Sequence, residues 1–419
     1  MNAALSKLPS LGEPLARPRS DELSRELAKL HRDGFDSVGI AVLNDYRAGL
    51  LEAEIEELAR HVGFTYVATG HQVAPSIGYL ARASTVALDA YLTPLLQRYL
   101  ERLTAELPGS RLLLMQSSGG LCQRERFRGA ASVLSGPAGG AEALAAVARA
   151  AGLRHAVGFD MGGTSTDVTR VENGALSRVY ESQVGGTHIA APIVAVHTVA
   201  AGGGSVCRFD GERLRVGPES VGALPGPLCY GRPGPGELSL TDVNLALGRL
   251  IPDRFPLPLS LDAPLAALEK LRAEVARAGH AYGGLDVAEG LFRVANANMA
   301  EAIREVTVAR GFDLREHALV VFGGAGGQHA CAIARELGVQ EVLFHPLAVV
   351  LSAWGIGISR LRWEGRADAG GRLLSDGALA ELTADFERLV TEGRAALARD
   401  GADRDALELT KTARLRYRG

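Results

Sequence analysis

The chain has 419 residues, 47% hydrophobic and 22% charged, which supplies a substantial core and excludes global disorder. At roughly 100–200 residues per domain, this length suggests two to four domains, or one large α/β unit with an appendage. Its 45 Lys+Arg against 48 Asp+Glu give a formal charge of −3, so no basic excess exists for nucleic acid or an anionic membrane surface.

The first thirty residues lack the apolar run of a signal peptide, and Pro9, Pro14 and Pro18 interrupt them. Elsewhere Gly, Pro or charge cuts each apolar stretch well short of 18 residues, so no membrane-spanning helix is expected. Cys122, Cys207, Cys229 and Cys331 form no CxxC pair and are read as small buried residues in a reducing cytoplasm.

Residues 1–20 read as an irregular leader. From Asp21 the spacing of Leu23, Leu27 and Leu30 is helical, Val38–Leu43 is a buried strand, Glu52–Val62 a helix and Thr65–Thr69 a strand. This alternation predicts a largely parallel sheet covered by helices. A long helix is expected over Ser84–Leu107, with Val86, Leu88, Leu92, Leu95, Leu96, Tyr99, Leu100 and Leu103 on one face and Pro94 as a kink or break. Arg111–Gln116 is a strand leading into Gly-rich SSGG, and Ser135–Gly140 opens an Ala-rich helix, Ala141–Ala151.

At His155 the pattern changes. Ala156–Asp160, the DVTRV segment and the ALSRVYES segment form a three-strand meander with Asn173-Gly174 as a hairpin signal. Helices follow at Leu265–Ala278 and Val287–Arg310, then a strand at Ala318–Phe322, a glycine loop at Gly323–Gly327 and a helix at His329–Leu337. Ala380–Ala398 reads as a helix and Leu407–Tyr417 as the start of a strand. No short internal repeat is visible.

Chemistry concentrates in the glycine turns. In Asp160-Met161-Gly162-Gly163-Thr164-Ser165-Thr166-Asp167, small residues let backbone N–H groups and hydroxyls approach phosphate oxygens. An Asp at a strand end there is placed to hold a hydrated Mg²⁺. Gly323, Gly324, Gly326 and Gly327 lie between a strand and a helix start, where a base or ribose can rest on bare backbone. Neither Walker A nor GxGxxG fits this loop. His329 is either a polar contact or a cap. His197, ahead of a run of small residues and three glycines, marks either a close approach to a ligand or a buried histidine in a turn. Ser135–Gly140 is another glycine turn. Glu301 and Glu305 share a helix face and read as surface carboxylates, and Asp242 reads equally as an N-cap. His188 and His197 have no metal-ligand spacing, and Arg232 is placed to pair with a substrate carboxylate.

The segments FDMGGTSTDV, VHTVAAGGGS, VGPESVGALPGPLCYGRPG, LTDVNLALGRL, NANMAEAIREVTVARGFD, FGGAGGQHACAIARELG and HPLAVVLSAWGIG, in this order, resemble the ATP-dependent hydantoinase A/5-oxoprolinase family, nearest its 5-oxoprolinase branch. The resemblance implies an α/β fold of actin-like ATPase type, with RNase-H-like lobes that clamp ATP. It implies phosphate contacts at Gly162, Gly163, Thr164 and Thr166, a nucleoside-side loop at Gly323, Gly324, Gly326 and Gly327, and Mg²⁺ at Asp160. Asp160 and Asp167 are the candidate catalytic residues, and His197 and Arg232 the candidate substrate contacts. The implied reaction phosphorylates the carbonyl of a cyclic amide, 5-oxoproline or hydantoin-like, and water then opens the ring. For 5-oxoproline the products are glutamate, ADP and phosphate. A B-type subunit or fused domain is the implied partner.

Only one D-x-G-G-T occurs, whereas the family carries an earlier one, so the first lobe is expected to be incomplete and the Leu415–Gly419 strand interrupted. The expected division is a leader at 1–20, the remainder of the first lobe at 21–150, the ATPase lobe at 151–360 and the start of a C-terminal region at 361–419. Two outcomes stay open: a cyclic-amide hydrolase with impaired activity, or a non-catalytic nucleotide-binding chain. A sugar kinase is disfavoured, since HTVAAGGGS and GPLCYGRPG have no kinase counterpart.

Overall fold

A computed structural model describes residues 17–234, 236–283, 285–369, 375, 377, 380 and 382–415. Two compact units divide the described residues. The first draws on Met1–Ser135, Arg178–Ile193 and Ser359–Gly419, the second on Gly136–Ser177 and Val194–Ile358.

In the first unit the α/β alternation is present. A helix (Ser20–Arg32) leads to a strand (Ser37–Ile40), a helix (Leu50–Val62) and a parallel strand (Tyr66–Thr69). Leu27, Ile40, Ala59, Phe64 and Val67 bury one another there. The long helix runs over Tyr79–Glu106 with Pro94 inside it, so the expected start was five residues late. Its buried face is also different from the apolar stripe. Arg82, Thr85, Val86, Asp89, Ala90, Thr93 and Leu100 face inward, while Leu95 and Tyr99 are exposed. Tertiary hydrogen bonds decide this: Thr93 Oγ1 accepts from the Gly129 N–H at 2.8 Å, and Asp89 Oδ1 from the Ala130 N–H at 2.9 Å. The SSGG segment turns a short antiparallel hairpin, Leu113–Met115 against Leu121–Gln123, with Gly119 and Gly120 both at φ +80°. The late helix spans Thr383–Arg399. Residues 407–415 carry no strand, contrary to expectation, and the rest of the LRYRG segment lies outside the described residues, as does the leader up to residue 16.

The second unit is built on one sheet. Helix α1 is Ser135–Ala150, so SGPAGG forms its first turns rather than a loop before it. Strands β1 (His155–Met161), β2 (Thr166–Glu172) and β3 (Ala175–Leu176) follow, then β4 (Val196–Val199) and a hairpin of β5 (Ser205–Phe209) and β6 (Leu214–Ser220). Next come α2 (Leu240–Ala246), α3 (Asp262–Arg277), α4 (Asp286–Val306), β7 (Ala318–Phe322), α5 (Ala330–Leu337), β8 (Val342–Phe344) and α6 (Leu351–Ile358). The sheet order is β4-β2-β1-β7-β8. β4, β2 and β1 pair antiparallel with one another, whereas β1, β7 and β8 run parallel.

The expected third meander strand is short. Only Ala175–Leu176 pairs with β2, at its far end, and the neighbour beside the D-x-G-G-T turn is β4, from the VHTV segment. Alternation sorts the side chains to two cores. Val157, Phe159, Met161, Val168, Leu319 and Val321 pack with Leu291, Met299 and Ile303 of α4. Ala156, Val171, Val320 and Phe322 pack with Ala143, Leu144 and Val147 of α1. All five residues of β7 are buried, as a central parallel strand covered on both faces requires.

Candidate functional site

Asp160 and Asp167 sit directly opposite each other across the β1–β2 hairpin, and Asp167 in turn faces Thr198 of β4. Cross-strand partners share a face, so the two carboxylates stand together on the α1 side of the sheet. Asp160 Oδ2 accepts from Ser352 Oγ at 2.9 Å, and Asp167 Oδ1 from Thr198 Oγ1 at 2.6 Å. Both are half-buried. Burial pushes the Asp160 carboxyl above its usual range; the Ser352 hydroxyl opposes the shift and the neighbouring Asp167 adds to it. Burial raises Asp167 as well, against its Thr198 hydrogen bond.

The turn between them is held by backbone. Gly162 N–H donates to Ser165 O at 3.0 Å, and Thr164 at its tip is exposed. The AAGGGS segment lies on this turn. Gly203 N–H donates to Gly162 O at 3.0 Å and Gly204 N–H to Gly163 O at 2.6 Å, and a Cβ on Gly202 would fall 2.7 Å from Gly163 and Ser165 backbone atoms. Thr241 secures the segment from behind, its N–H and hydroxyl both donating to Gly203 O at 2.7 and 2.8 Å.

The second glycine loop meets the first at the strand ends. Asp160 pairs with Phe322 in the parallel register, and Ala325 N–H donates to Met161 O at 3.0 Å. Gly323 has φ +80°, and a Cβ there would strike the Met161 carbonyl and lie 2.6 Å from Asp160 Oδ1. Beyond the loop opens a cavity of about 650 Å³, lined among others by Gly327 and Gln328, by Phe292, Arg293 and Asn296 of α4, and by Arg249. That volume lies within the usual range for small-molecule pockets. The Arg249 guanidinium lies 3.7 Å over the Phe292 ring. Behind the wall, buried His329 donates from Nδ1 to Asn296 Oδ1 at 2.8 Å and accepts at Nε2 from Asn244 Nδ2 at 2.9 Å. Burial lowers its pKa to about 3, so this imidazole is neutral and fixes Asn296 and Asn244 in place.

The sequence profile of the Hydantoinase/oxoprolinase family matches residues 82–365. The chain belongs to this family. A 5-oxoprolinase of Dictyostelium discoideum is 40% identical over 375 residues, 82% of this chain and 29% of that protein. The caprolactamase subunit alpha of Pseudomonas jessenii is 35% identical, over 84% of this chain and 52% of its own length. The crystal structure of the ATP-dependent caprolactamase from Pseudomonas jessenii gives a TM-score of 0.81 at 30% identity, covering 94% of this chain and 58% of that one. The chain thus spans less than a third of the first relative and just over half of the other two.

On this hydantoinase/oxoprolinase scaffold the structure brings Asp160, Asp167, Gly162, Gly163, Thr164, Gly323 and Gly324 to one end of the sheet. Thr166 is turned away: its buried hydroxyl donates to Ala201 O at 2.6 Å, tying the hairpin to the AAGGGS segment. Gly326 is buried, where a Cβ would meet Val321, and Gly327 opens on the cavity. His197 pairs with Val168 in the register and so points to the face opposite Asp160, where Nε2 lies 3.0 Å from Glu305 Oε2. Exposed Arg232 donates to Ala223 O at 2.6 Å within its own loop. Glu301 pairs with Arg304 on the surface, and His188 is exposed in the first unit.

Asp242 is the third helical residue of α2 in a capping box with Ser239, and its carboxylate also accepts from the Leu228 and Cys229 N–H groups. It therefore orders the GPLCYG turn. Cys331 corrects the cysteine reading: it is exposed and lines the cavity, while the other three are buried and all four are free. Sequence reasoning missed Ser352, Thr198, Arg249, Phe292, Arg293 and Asn296. Thr198, Arg249, Asn296 and Ser352 had one signal, their places in the quoted VHTVAAGGGS, LTDVNLALGRL, NANMAEAIREV and HPLAVVLSAWGIG segments, whereas Phe292 and Arg293 had none.

Two facing carboxylates held above their usual range, with hydroxyls as hydrogen-bond donors, make a hard-oxygen set that suits Mg²⁺. A cation there would offset the burial that chiefly raises Asp160 and the smaller repulsion from Asp167. Among the described residues no helix is long and apolar enough to cross a membrane.

Proposed function

We propose that the second unit binds Mg²⁺·ATP and contributes this site to the ATP-dependent opening of a cyclic amide. The observation that carries the reading is the convergence, at the ends of β1, β2 and β7, of two glycine loops, a facing carboxylate pair and a cavity of nucleoside size. The phosphates lie over Gly162, Gly163, Thr164, Gly323 and Gly324, whose backbone leaves room for close approach. The base and ribose occupy the cavity against Arg249, Arg293 and Gly327. Asp160 and Asp167 hold the Mg²⁺, which when bound supplies charge neutralisation to the phosphates. The strand order, three antiparallel followed by two parallel, supports reading this unit as an RNase-H-like lobe of an actin-like ATPase.

In the reaction the γ-phosphoryl group passes to the amide oxygen and ADP leaves. One water then adds to the activated carbon and the ring C–N bond breaks, the nitrogen leaving as an amine and the carbonyl remaining as an acyl phosphate. A second water cleaves that acyl phosphate, giving the carboxylate and free phosphate. An unstrained lactam is a poor electrophile, so coupling to ATP supplies the driving force. The substrate is a small cyclic amide such as 5-oxoproline or a hydantoin, met by His197 and Arg232 once their present contacts open. A B-type chain or domain completes the enzyme, in line with the subunit naming of the caprolactamase relative. Four free cysteines support the cytoplasmic setting.

Photoaffinity labelling with 8-azido-ATP and Mg²⁺ tests the placement. Label is expected in peptides from residues 286–306 or 327–337; label confined to other peptides would refute it. Nucleotide binding without 5-oxoproline-dependent phosphate release would favour the non-catalytic alternative.

A further inference from the structure

The opposite end of the same sheet carries a second cluster. His155 opens β1, Glu172 closes β2 directly across from it, and His317 immediately precedes β7, the other neighbour of β1. His155 Nδ1 lies 2.5 Å from Glu172 Oε1, and His317 Nε2 lies 3.4 Å from Glu172 Oε2. Neither contact has hydrogen-bond geometry, and both nitrogens are buried without a hydrogen-bond partner. His317 as a whole is only 4% exposed.

The tautomer sharpens the point. His317 Nδ1 lies 2.8 Å from the Asp313 carbonyl oxygen, which only an N–H can satisfy. In the neutral ring this leaves a lone pair on Nε2 facing a carboxylate with lone pairs of its own. Two buried acceptors so placed repel unless a cation stands between them. The supports around them are those of a ligand set. The carbonyl orients the imidazole, and Arg170 donates to Glu172 Oε2 at 2.5 Å while stacked 3.4 Å from the Phe312 ring. Outer contacts of both kinds commonly fix ligating histidines and carboxylates.

We propose that His155, Glu172 and His317 bind a transition-metal ion of the zinc class, with a fourth position left to water. Their ligand atoms all lie within 4.8 Å of one another. Tetrahedral bonds of about 2.1 Å place donors about 3.4 Å apart, so a small rotation of His155 away from Glu172 completes the set. Two imidazoles favour zinc, nickel or copper over Mg²⁺, which takes oxygen. The site is separate from the phosphate hairpin, since Asp160 lies further along β1 by about 17 Å. Its effect is to clip together β1, β2 and β7 at the end remote from the glycine loops.

The test is calorimetric titration of the chelator-stripped full chain with Zn²⁺, alongside His155→Gln and His317→Gln. The parent is expected to bind one equivalent, to melt at higher temperature with saturating Zn²⁺, and to give a four-coordinate visible spectrum with Co²⁺. Each folded variant is expected to bind 10–100-fold more weakly and to lose the thermal shift. If His317→Gln does not fold, His155→Gln at the half-buried strand start and the parent Co²⁺ spectrum still decide. A parent that binds no Zn²⁺, or folded variants that bind as the parent does, would overturn the proposal and leave a shared proton as the cation.

Discussion

Each unit buries carboxylate charge, and the two solve the problem differently. In the first unit Glu52 is fully buried and accepts from the Val42 N–H at 2.9 Å, the His71 N–H at 2.6 Å and His71 Nδ1 at 2.9 Å. Burial alone would raise its carboxyl, but the His71 side chain and the two backbone donors outweigh it and hold it below the usual glutamate range. Arg82, nearly as buried, gives Nη1 to Ser76 O and Nη2 to Val42 O at 2.9 and 2.7 Å. In the second unit Asp160 and Asp167 face each other with one hydroxyl donor each and are held above the usual range. A carboxylate satisfied by its own chain is structural. A pair left short of positive charge is poised for a cation from outside.

The contrast predicts opposite consequences. The largest belongs to Glu52→Ala, which strands the His71 and Val42 donors and is expected to cost about 3–5 kcal/mol in urea unfolding. Because the folded pKa of Glu52 is lowered, its stabilisation is present above the unfolded value and is lost as pH falls through the folded one. The parent should therefore lose stability on acidification more steeply than the variant. An Ala variant as stable as the parent would break the comparison on this side.

Gly323→Ala comes next. A side chain at φ +80° against the Met161 carbonyl is expected to cost about 1–3 kcal/mol and to weaken nucleotide binding with it. Smaller in stability, and opposite in sign, is Asp160→Asn. With its folded pKa raised, Asp160 favours the fold below the unfolded value and loses that contribution as pH rises through the folded one. Removing the charge should leave the melting temperature at neutral pH equal or higher, and a lower one would contradict the assignment. His197→Ala should change stability by at most about 1 kcal/mol, because its pair with Glu305 is largely exposed; a larger loss would show that this edge strand does more.

Much of the second unit was legible. The strands on either side of the D-x-G-G-T turn and before the second glycine loop have the apolar runs and punctuation that buried strands need, and β7 matched its expected bounds. The two loops could be ranked by backbone freedom alone. What escaped was nonlocal. Ser352 reaches Asp160 across 192 positions, and no periodicity reports such a partner. The VHTV segment is too short to read as a strand until β2 offers it an edge. On the long helix, hydrogen bonds to Asp89 and Thr93 outweighed a stripe of leucines. Cys331 is exposed because the cavity opens beside it, which composition does not record.

The central claim is that the second unit is a Mg²⁺-dependent nucleotide cradle, and calorimetric titration of the chain with ATP tests it most directly. One ATP per chain is expected, bound more tightly with Mg²⁺ than with chelator, and weakened at least about tenfold by Asp160→Asn, roughly 1.4 kcal/mol. Affinity that is indifferent to both Mg²⁺ and Asp160→Asn, or no binding at all, would contradict the account.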